Sequence, residues 1–203
     1  MISHNDLVNH LINSKALHST NIIEAFRNID RVDFVYDSSV EGVYGDYPLQ
    51  IGYNQTISQP STVAMMFEML EPYLGQKILD IGSGSGWTTA LLGFIVGDKG
   101  SVIGLERVNE LVEFGSENIS KYRFKNAKII KAKDELGIPN EKFDRILVSA
   151  ASEQLPHNLL KQLKTGGKLV IPIKNSIYEI IKKGDEEFET TEHYGFRFVP
   201  LIY

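Results

Sequence analysis

Residues 78–86 read Ile-Leu-Asp-Ile-Gly-Ser-Gly-Ser-Gly, and Glu106 stands 20 residues beyond the last of these glycines. Ile78, Leu79 and Ile81 form the short apolar run of a buried strand. Gly82, Gly84 and Gly86 then remove each Cβ from the turn, so a small ligand can approach the backbone closely. The spacing separates two classes of ligand. A dinucleotide turn runs Gly-x-Gly-x-x-Gly and seats a pyrophosphate on the helix that follows. Here the order is Gly-x-Gly-x-Gly, and Trp87 occupies the place of the third dinucleotide glycine. An acid, Asp80, precedes the turn, and Ser83 and Ser85 are small hydrogen-bonding residues within it. Residues 101–106 (SVIGLE) read as a second strand with Glu106 at its end, where a carboxylate can accept two hydrogen bonds from a ribose diol.

These groups need a scaffold, and the pattern from residue 76 onward supplies one. A helix is expected from about Trp87, then another over about 108–120. Strands are expected at 127–131, 143–149 and 169–173, with a helix at 156–163 between the last two. Alternating strands and helices of this length predict an α/β fold with a doubly wound, mostly parallel, Rossmann-like sheet. Residues 177–182 and 195–203 read as two further strands around a Gly184-Asp185 turn, closing the sheet with an antiparallel pair. Ahead of the sheet lies a helical extension. Ser3-x-x-Asp6 resembles a capping box, a second helix covers about 20–29, and Pro60 opens a third. Residues 31–58 show no clear period, carry Tyr36, Tyr44, Tyr47 and Tyr53, and are long enough without regular structure to suggest a functional segment. The expected organisation is one domain over 1–203: a helical and active-site segment to 75, the ligand-binding core over 76–173, and terminal strands over 174–203. Ligands in such sheets bind beyond the carboxyl ends of the strands, which here carry Gly82–Gly86, Glu106, Lys133–Asp134 and 149–156.

Composition narrows the chemistry. The chain of 203 residues has no cysteine, which excludes disulfides, thiolate zinc sites and cysteine nucleophiles. The five histidines are scattered without ligand spacing, so no metal is expected. Net charge is −5, and the lysines and arginine of 121–133 form only a local basic stretch, which argues against nucleic acid as the partner. The polar N-terminus does not read as a signal peptide, and the longest apolar run, 90–97, is too short to span a bilayer. A cytoplasmic location without membrane association is expected; oligomeric state is open.

Asp-x-Gly-x-Gly-x-Gly with a following acidic strand end resembles the first motif of class I S-adenosylmethionine-dependent methyltransferases. That cofactor presents an ammonium, a carboxylate and a ribose, and has no phosphate. The stretch after the 143–149 strand, Ser-Ala-Ala-Ser-Glu-Gln-Leu-Pro, lacks the Asn-Pro-Pro-aromatic pattern of amino-group methyltransferases. No base set is visible for a hydroxyl acceptor. A carboxylate, with an intrinsic pKa of about 4, is ionised at neutral pH and needs no base.

The rest of the chain resembles protein-L-isoaspartate O-methyltransferases. The likeness rests on Gln55-Thr56-Ile57-Ser58-Gln59-Pro60, on 80–86, on DRILVSAASEQLP (144–156) and QLKTGGKLVIP (162–172), and on Phe198-Val199-Pro200-Leu201. It implies methyl transfer from S-adenosyl-L-methionine, leaving S-adenosyl-L-homocysteine, to the α-carboxylate of L-isoaspartyl residues, and to D-aspartyl residues, in damaged proteins and peptides. The ester promotes succinimide formation, whose hydrolysis partly restores aspartate. The resemblance further implies Ser58 as the active-site serine, and cofactor contacts from Gln55, Thr56, Ile57, Asp80, Gly82, Ser83, Gly84, Gly86, Glu106, Lys133 and Asp134. The local alternative for Ser58 is a helix cap ahead of Pro60.

Two departures stand out. Where the family carries Gly-Asp-Gly after its third strand, this chain has Ala132-Lys133-Asp134, so either Asp134 reaches the adenine amine or adenine binding weakens. After Pro172, Lys174–Glu179 replaces the family's glycine and glutamine. A weakly catalytic cofactor- or peptide-binding protein, or a carboxyl methyltransferase with another acceptor, are the competing readings.

Overall fold

Why Ile78, Leu79 and Ile81 of the central strand are apolar follows from its place in the sheet. In this computed structural model, which describes residues 3–37 and 42–202, β3 (Lys77–Ile81) lies between β4 (Ser101–Glu106) and β6 (Phe143–Val148), paired parallel to both. A strand buried on both faces reads as a continuous apolar run. The sheet has seven strands in the order β5-β4-β3-β6-β7-β8-β9, with β5 at Ala127–Lys131, β7 at Leu163–Ile173, β8 at Ser176–Lys182 and β9 at Phe188–Tyr194. Pairing is parallel from β5 to β7 and antiparallel for β7–β8 and β8–β9. The order reverses between β3 and β6, which puts the crevice of a doubly wound sheet beside the glycine turn. The expected fold class is therefore the observed one.

Helices α4 (Trp87–Val96), α5 (Asn109–Ser120) and α6 (His157–Lys161) cross between parallel strands. Nine of the ten α4 residues are buried, because the helical extension covers its outer side. That extension is α1 (His4–Asn13), α2 (Thr20–Asn28) and α3 (Pro60–Leu70). The Ser3 hydroxyl accepts from the Asp6 amide at 3.1 Å, as a capping residue does. Leu7, Leu11, Phe26, Phe67 and Trp87 share one apolar cluster with Ile78 of β3. No helix among the described residues is long and apolar enough to cross a membrane.

Three expectations need correction. The last strand is Phe188–Tyr194, not 195–203. Gly195, at φ +101°, turns the chain out of the sheet, and the following residues run back over its carboxyl rim. There the Ala151 amide donates to Val199 at 2.8 Å and the Leu201 amide to Ala151 at 2.8 Å. Tyr203 lies outside the described residues. Strand β7 begins at Leu163 and runs through Gly166 and Gly167, six residues earlier than expected. Finally, the stretch 31–58, of which 38–41 lie outside the description, contains a hairpin of β1 (Leu49–Gln50) and β2 (Thr56–Ile57). Its turn places Tyr53 and Asn54 at φ +53° and +58°, with the Gln55 amide donating to Gly52 at 2.8 Å.

Candidate active site

Three adjoining hollows lie along the carboxyl rim. The first is lined by Gln55–Ser58, Gly82–Ser85, Trp87, Thr88, Glu106, Ser149, Ala150 and Val199. The second shares Gln55, Gly82, Glu106 and Ala150 with it and extends over Lys133, Asp134, Leu136 and Leu201. The third is an open groove that shares Thr56, Ser58, Ser149 and Val199 with the first.

The glycine turn is organised differently from the open amide cradle that its composition suggests. The Gly82 and Ser83 amides both donate to the Leu105 carbonyl, at 2.8 and 3.1 Å. The Gly84 amide donates to Glu106 Oε2 at 3.0 Å, and the Gly86 amide to Ser83 at 2.8 Å. Four turn amides are thus consumed internally. Among the described residues, the backbone groups at the first hollow left without a partner include the Gly82 carbonyl and the amides of Ser85, Trp87 and Thr88. The last two are first-turn amides of α4, which have no intrahelical acceptor and favour an anion.

Gly86 does not line the hollow. Its φ is +89°, and a Cβ there would meet the Gly115 carbonyl of α5 at 2.9 Å and Ile119 at 3.1 Å. It lets α5 pack onto the turn. Asp80 does not line the hollow either. It is fully buried behind the turn, and its Oδ2 accepts from the Thr88 and Thr89 hydroxyls, both at 2.7 Å. Those bonds tether the first turn of α4 to β3. Burial raises the Asp80 carboxyl to a pKa of about 6; the threonine hydroxyls hold it down and Glu106 pushes it further up. Asp80 Oδ1 and the Ser83 hydroxyl are buried without partners among the described residues.

Glu106 ends β4, is 6% exposed, and accepts from the Gly84 amide through Oε2 and from the Val108 amide at 2.9 Å through Oε1. Each oxygen retains a lone pair for the hollows that Glu106 borders. Lys133 and Asp134 are both exposed on the second hollow. The loop they sit on is pinned by Gln162, which donates to the Leu136 carbonyl at 3.0 Å and accepts from the Ile138 amide at 2.7 Å.

Strand alternation sends Ile57 into the core and leaves Thr56 and Ser58 on the face bordering both the first hollow and the groove. Ser58 is not the cap of α3. Gln59 holds that position, with no side-chain cap bond, and the Ser58 hydroxyl has no protein partner among the described residues. Its carbonyl accepts from Arg31 Nη1 at 2.7 Å. Arg31 is a residue the sequence does not single out. It lies in a 3₁₀ turn (Arg31–Phe34), is wholly buried, donates from Nη2 to the Tyr47 carbonyl at 3.0 Å, and places its guanidinium carbon 5.1 Å from the Trp87 ring centre. The 196–199 strap is equally invisible in sequence as a site element, because the C-terminal signature reads simply as a strand.

A protein-family model described as Protein-L-isoaspartate(D-aspartate) O-methyltransferase matches residues 2–203. The chain belongs to the protein-L-isoaspartate(D-aspartate) O-methyltransferase family. Curated relatives of that name include one from Methanopyrus kandleri, 38% identical over 97% of this chain and 89% of its own length. Another, from Pyrococcus horikoshii, is 38% identical over 92% and 86%. Among solved structures, an isoaspartate O-methyltransferase from Plasmodium falciparum in complex with S-adenosyl-L-homocysteine superposes with a TM-score of 0.87, 28% identity, and coverage of 100% of this chain and 99% of that one. A second protein-L-isoaspartate O-methyltransferase gives 0.89 at 26% identity, over 99% of this chain and 66% of that one. Within this family framework the three hollows take on distinct characters. The first offers an acceptor carbonyl and helix-end amides, the second borders Glu106 and a partly apolar wall, and the third opens to solvent beside Ser58.

Proposed function

We propose that the chain methylates the α-carboxylate of L-isoaspartyl residues, and the side-chain carboxylate of D-aspartyl residues, in damaged proteins and peptides, with S-adenosyl-L-methionine as donor. One observation carries the reading. Thr56, Ser58, Ser149 and Val199 line both the first hollow and the groove, so a donor in one and a polypeptide acceptor in the other meet at Ser58.

The residues present fit the donor. The Gly82 carbonyl accepts from its ammonium, and the buried, unpartnered Asp80 Oδ1 and Ser83 hydroxyl add negative and polar character beneath the turn, reached through water. The free amides at the start of α4 hold its carboxylate. Glu106, already fixed by two backbone amides, accepts from both ribose hydroxyls. Ala132–Leu136 and Leu201 flank the adenine, and of the exposed pair Lys133 and Asp134 the carboxylate of Asp134 is the group able to accept from its amine. When bound, S-adenosyl-L-methionine supplies an electrophilic methyl on a sulfonium, and S-adenosyl-L-homocysteine remains.

The groove suits an anionic acceptor. Among the described residues no acidic side chain lines it, and Arg197 does. The acceptor carboxylate arrives ionised, so no general base is required. The Ser58 hydroxyl donates to one carboxylate oxygen and leaves the other directed toward the first hollow. Holding reacting atoms in this way contributes several kcal/mol, up to roughly 7. Val199 and the strap over the rim form part of the wall shared by the first hollow and the groove.

The test uses two peptides that differ only in an isoaspartyl or aspartyl linkage, each supplied with labelled S-adenosyl-L-methionine. Label transfer to the isoaspartyl peptide alone supports the reading. Donor-product binding with transfer to neither peptide contradicts it.

A further inference from the structure

A guanidinium buried without a carboxylate partner is costly, because its lost hydration is not repaid by an opposite charge. Arg31 is such a group: it is 0% exposed, and none of the ion pairs among the described residues includes it. Asp46 influences it only through space, and its Nε has no partner. An apolar side chain would fill the same volume against Trp87 at lower cost. What the cation does instead is join three segments that meet at the methyl-transfer boundary. Nη1 holds the Ser58 carbonyl, Nη2 holds the Tyr47 carbonyl next to the groove residue Pro48, and the guanidinium plane packs over Trp87, which lines the first hollow.

Ser58 sits in a weak place. It falls between the end of β2 at Ile57 and the start of α3 at Pro60, outside both ladders of backbone hydrogen bonds. The residue after it, Gln59, makes no side-chain bond to the α3 N-terminus; the one side chain that reaches that end among the described residues is Asp46, which accepts from the Ser61 amide at 2.8 Å, three residues beyond Ser58. A fork with two donors in one plane fixes direction as well as distance, which a lysine ammonium does not. We propose that Arg31 is the positioning residue of this site: by clamping the carbonyls of Ser58 and Tyr47 it aims the Ser58 hydroxyl at the boundary between the donor hollow and the peptide groove. This rests on the Ser58 assignment made above. Misplacement of a reacting group by about 1 Å can cost a hundredfold in rate, so a clamp of this kind is worth its burial.

The experiment is a double-mutant cycle on the full chain with Arg31→Met, Arg31→Lys, Ser58→Ala and the Arg31→Met/Ser58→Ala pair. Three quantities are read: kcat and peptide KM for isoaspartyl methylation, and the Kd of S-adenosyl-L-homocysteine by calorimetry. Arg31→Met is expected to lower kcat by about thirtyfold or more, while KM and the S-adenosyl-L-homocysteine Kd stay within about threefold. Arg31→Lys should recover part of the loss, since an ammonium can reach one carbonyl and not hold both. In the Ser58→Ala background, Arg31→Met should cost no more than about threefold, because the hydroxyl it aims is gone.

Full additivity of the two single effects overturns the proposal, as does a wild-type kcat in Arg31→Met. If Arg31→Met fails to fold, shown by loss of S-adenosyl-L-homocysteine binding, the same cycle run with Arg31→Lys decides by the same additivity criterion. A wild-type rate in Ser58→Ala refutes the Ser58 assignment itself. A slow Ser58→Ala beside a fast Arg31→Met refutes only the clamp.

Discussion

Glu106→Gln is the most informative single change, because the structure allows its cost to be worked out. The Glu106 carboxylate is 6% exposed and accepts two backbone amides, Gly84 at 3.0 Å and Val108 at 2.9 Å. A glutamine of the same shape has one acceptor oxygen, so its NH₂ must face one of those amides, donor against donor. One buried amide is left unsatisfied, at about 1–3 kcal/mol, and the surviving bond loses its charge, at about 1 kcal/mol. The expected destabilisation is about 2–4 kcal/mol, which lowers Tm by roughly 4–16 °C for a chain of this size. The same change removes a charged acceptor from the ribose, so S-adenosyl-L-homocysteine affinity should fall by about thirtyfold or more. Glu110→Gln, at an exposed site in the first turn of α5, is the control, expected within about 0.5 kcal/mol of wild type. Differential scanning fluorimetry and calorimetry read both effects. A Glu106→Gln protein that melts within about 2 °C of wild type and binds S-adenosyl-L-homocysteine normally would show that Glu106 neither braces the turn nor meets the ribose.

Other outcomes follow from the same geometry. The Asp80 carboxyl, raised from 3.8 to about 6 by burial, holds its proton more tightly in the folded chain than in the unfolded one, so stability falls as pH rises from about 4 to about 6. The rise corresponds to on the order of 3 kcal/mol, and the stability difference between Asp80→Asn and wild type, followed by urea unfolding at pH 4 and pH 7, should move toward asparagine by up to that amount. The same carboxylate favours the donor's ammonium only when ionised, so wild-type affinity for S-adenosyl-L-homocysteine should weaken as pH drops below about 6. Gly86→Ala forces a Cβ onto the Gly115 carbonyl at 2.9 Å and an alanine into φ +89°, and should cost about 2–4 kcal/mol in thermal stability. Arg197→Glu places an acid on a groove that has none among the described residues, and should raise the isoaspartyl-peptide KM severalfold while leaving the S-adenosyl-L-homocysteine Kd unchanged, with the KM effect shrinking as salt is added.

Much of the fold was legible because its signals are local. The apolar run of β3, the glycine turn and the acid at the end of β4 each state a backbone or burial requirement within a few residues. Strand β9 was not legible: it is an edge strand with the polar sequence FETTEHY, and its charged, half-exposed residues hide the strand period while blunting the edge. The terminal Phe198-Val199 looked like that strand because its β-forming residues pair, but with Ala151 rather than with the sheet edge. The β1–β2 hairpin was missed because its strands are two residues each.

In the site, residue types pointed to the right region, yet the partner of each group depends on tertiary pairing. Leu105 and Glu106 take the turn's amides only because β4 lies beside β3. Asp80 turns away from the hollow because Thr88 and Thr89 are brought back over it by α4. Nothing local marks Arg31 as buried; the segments that enclose it come from residues 47, 58 and 87.

A crystal structure of the chain with S-adenosyl-L-homocysteine and an isoaspartyl peptide tests the central claim most directly. The account predicts the homocysteine portion against Gly82–Thr88, both ribose hydroxyls on Glu106, and the isoaspartyl α-carboxylate within hydrogen-bond distance of the Ser58 hydroxyl and facing the sulfur. A peptide seated away from the 195–199 groove, or a Ser58 hydroxyl turned from the carboxylate, would contradict it.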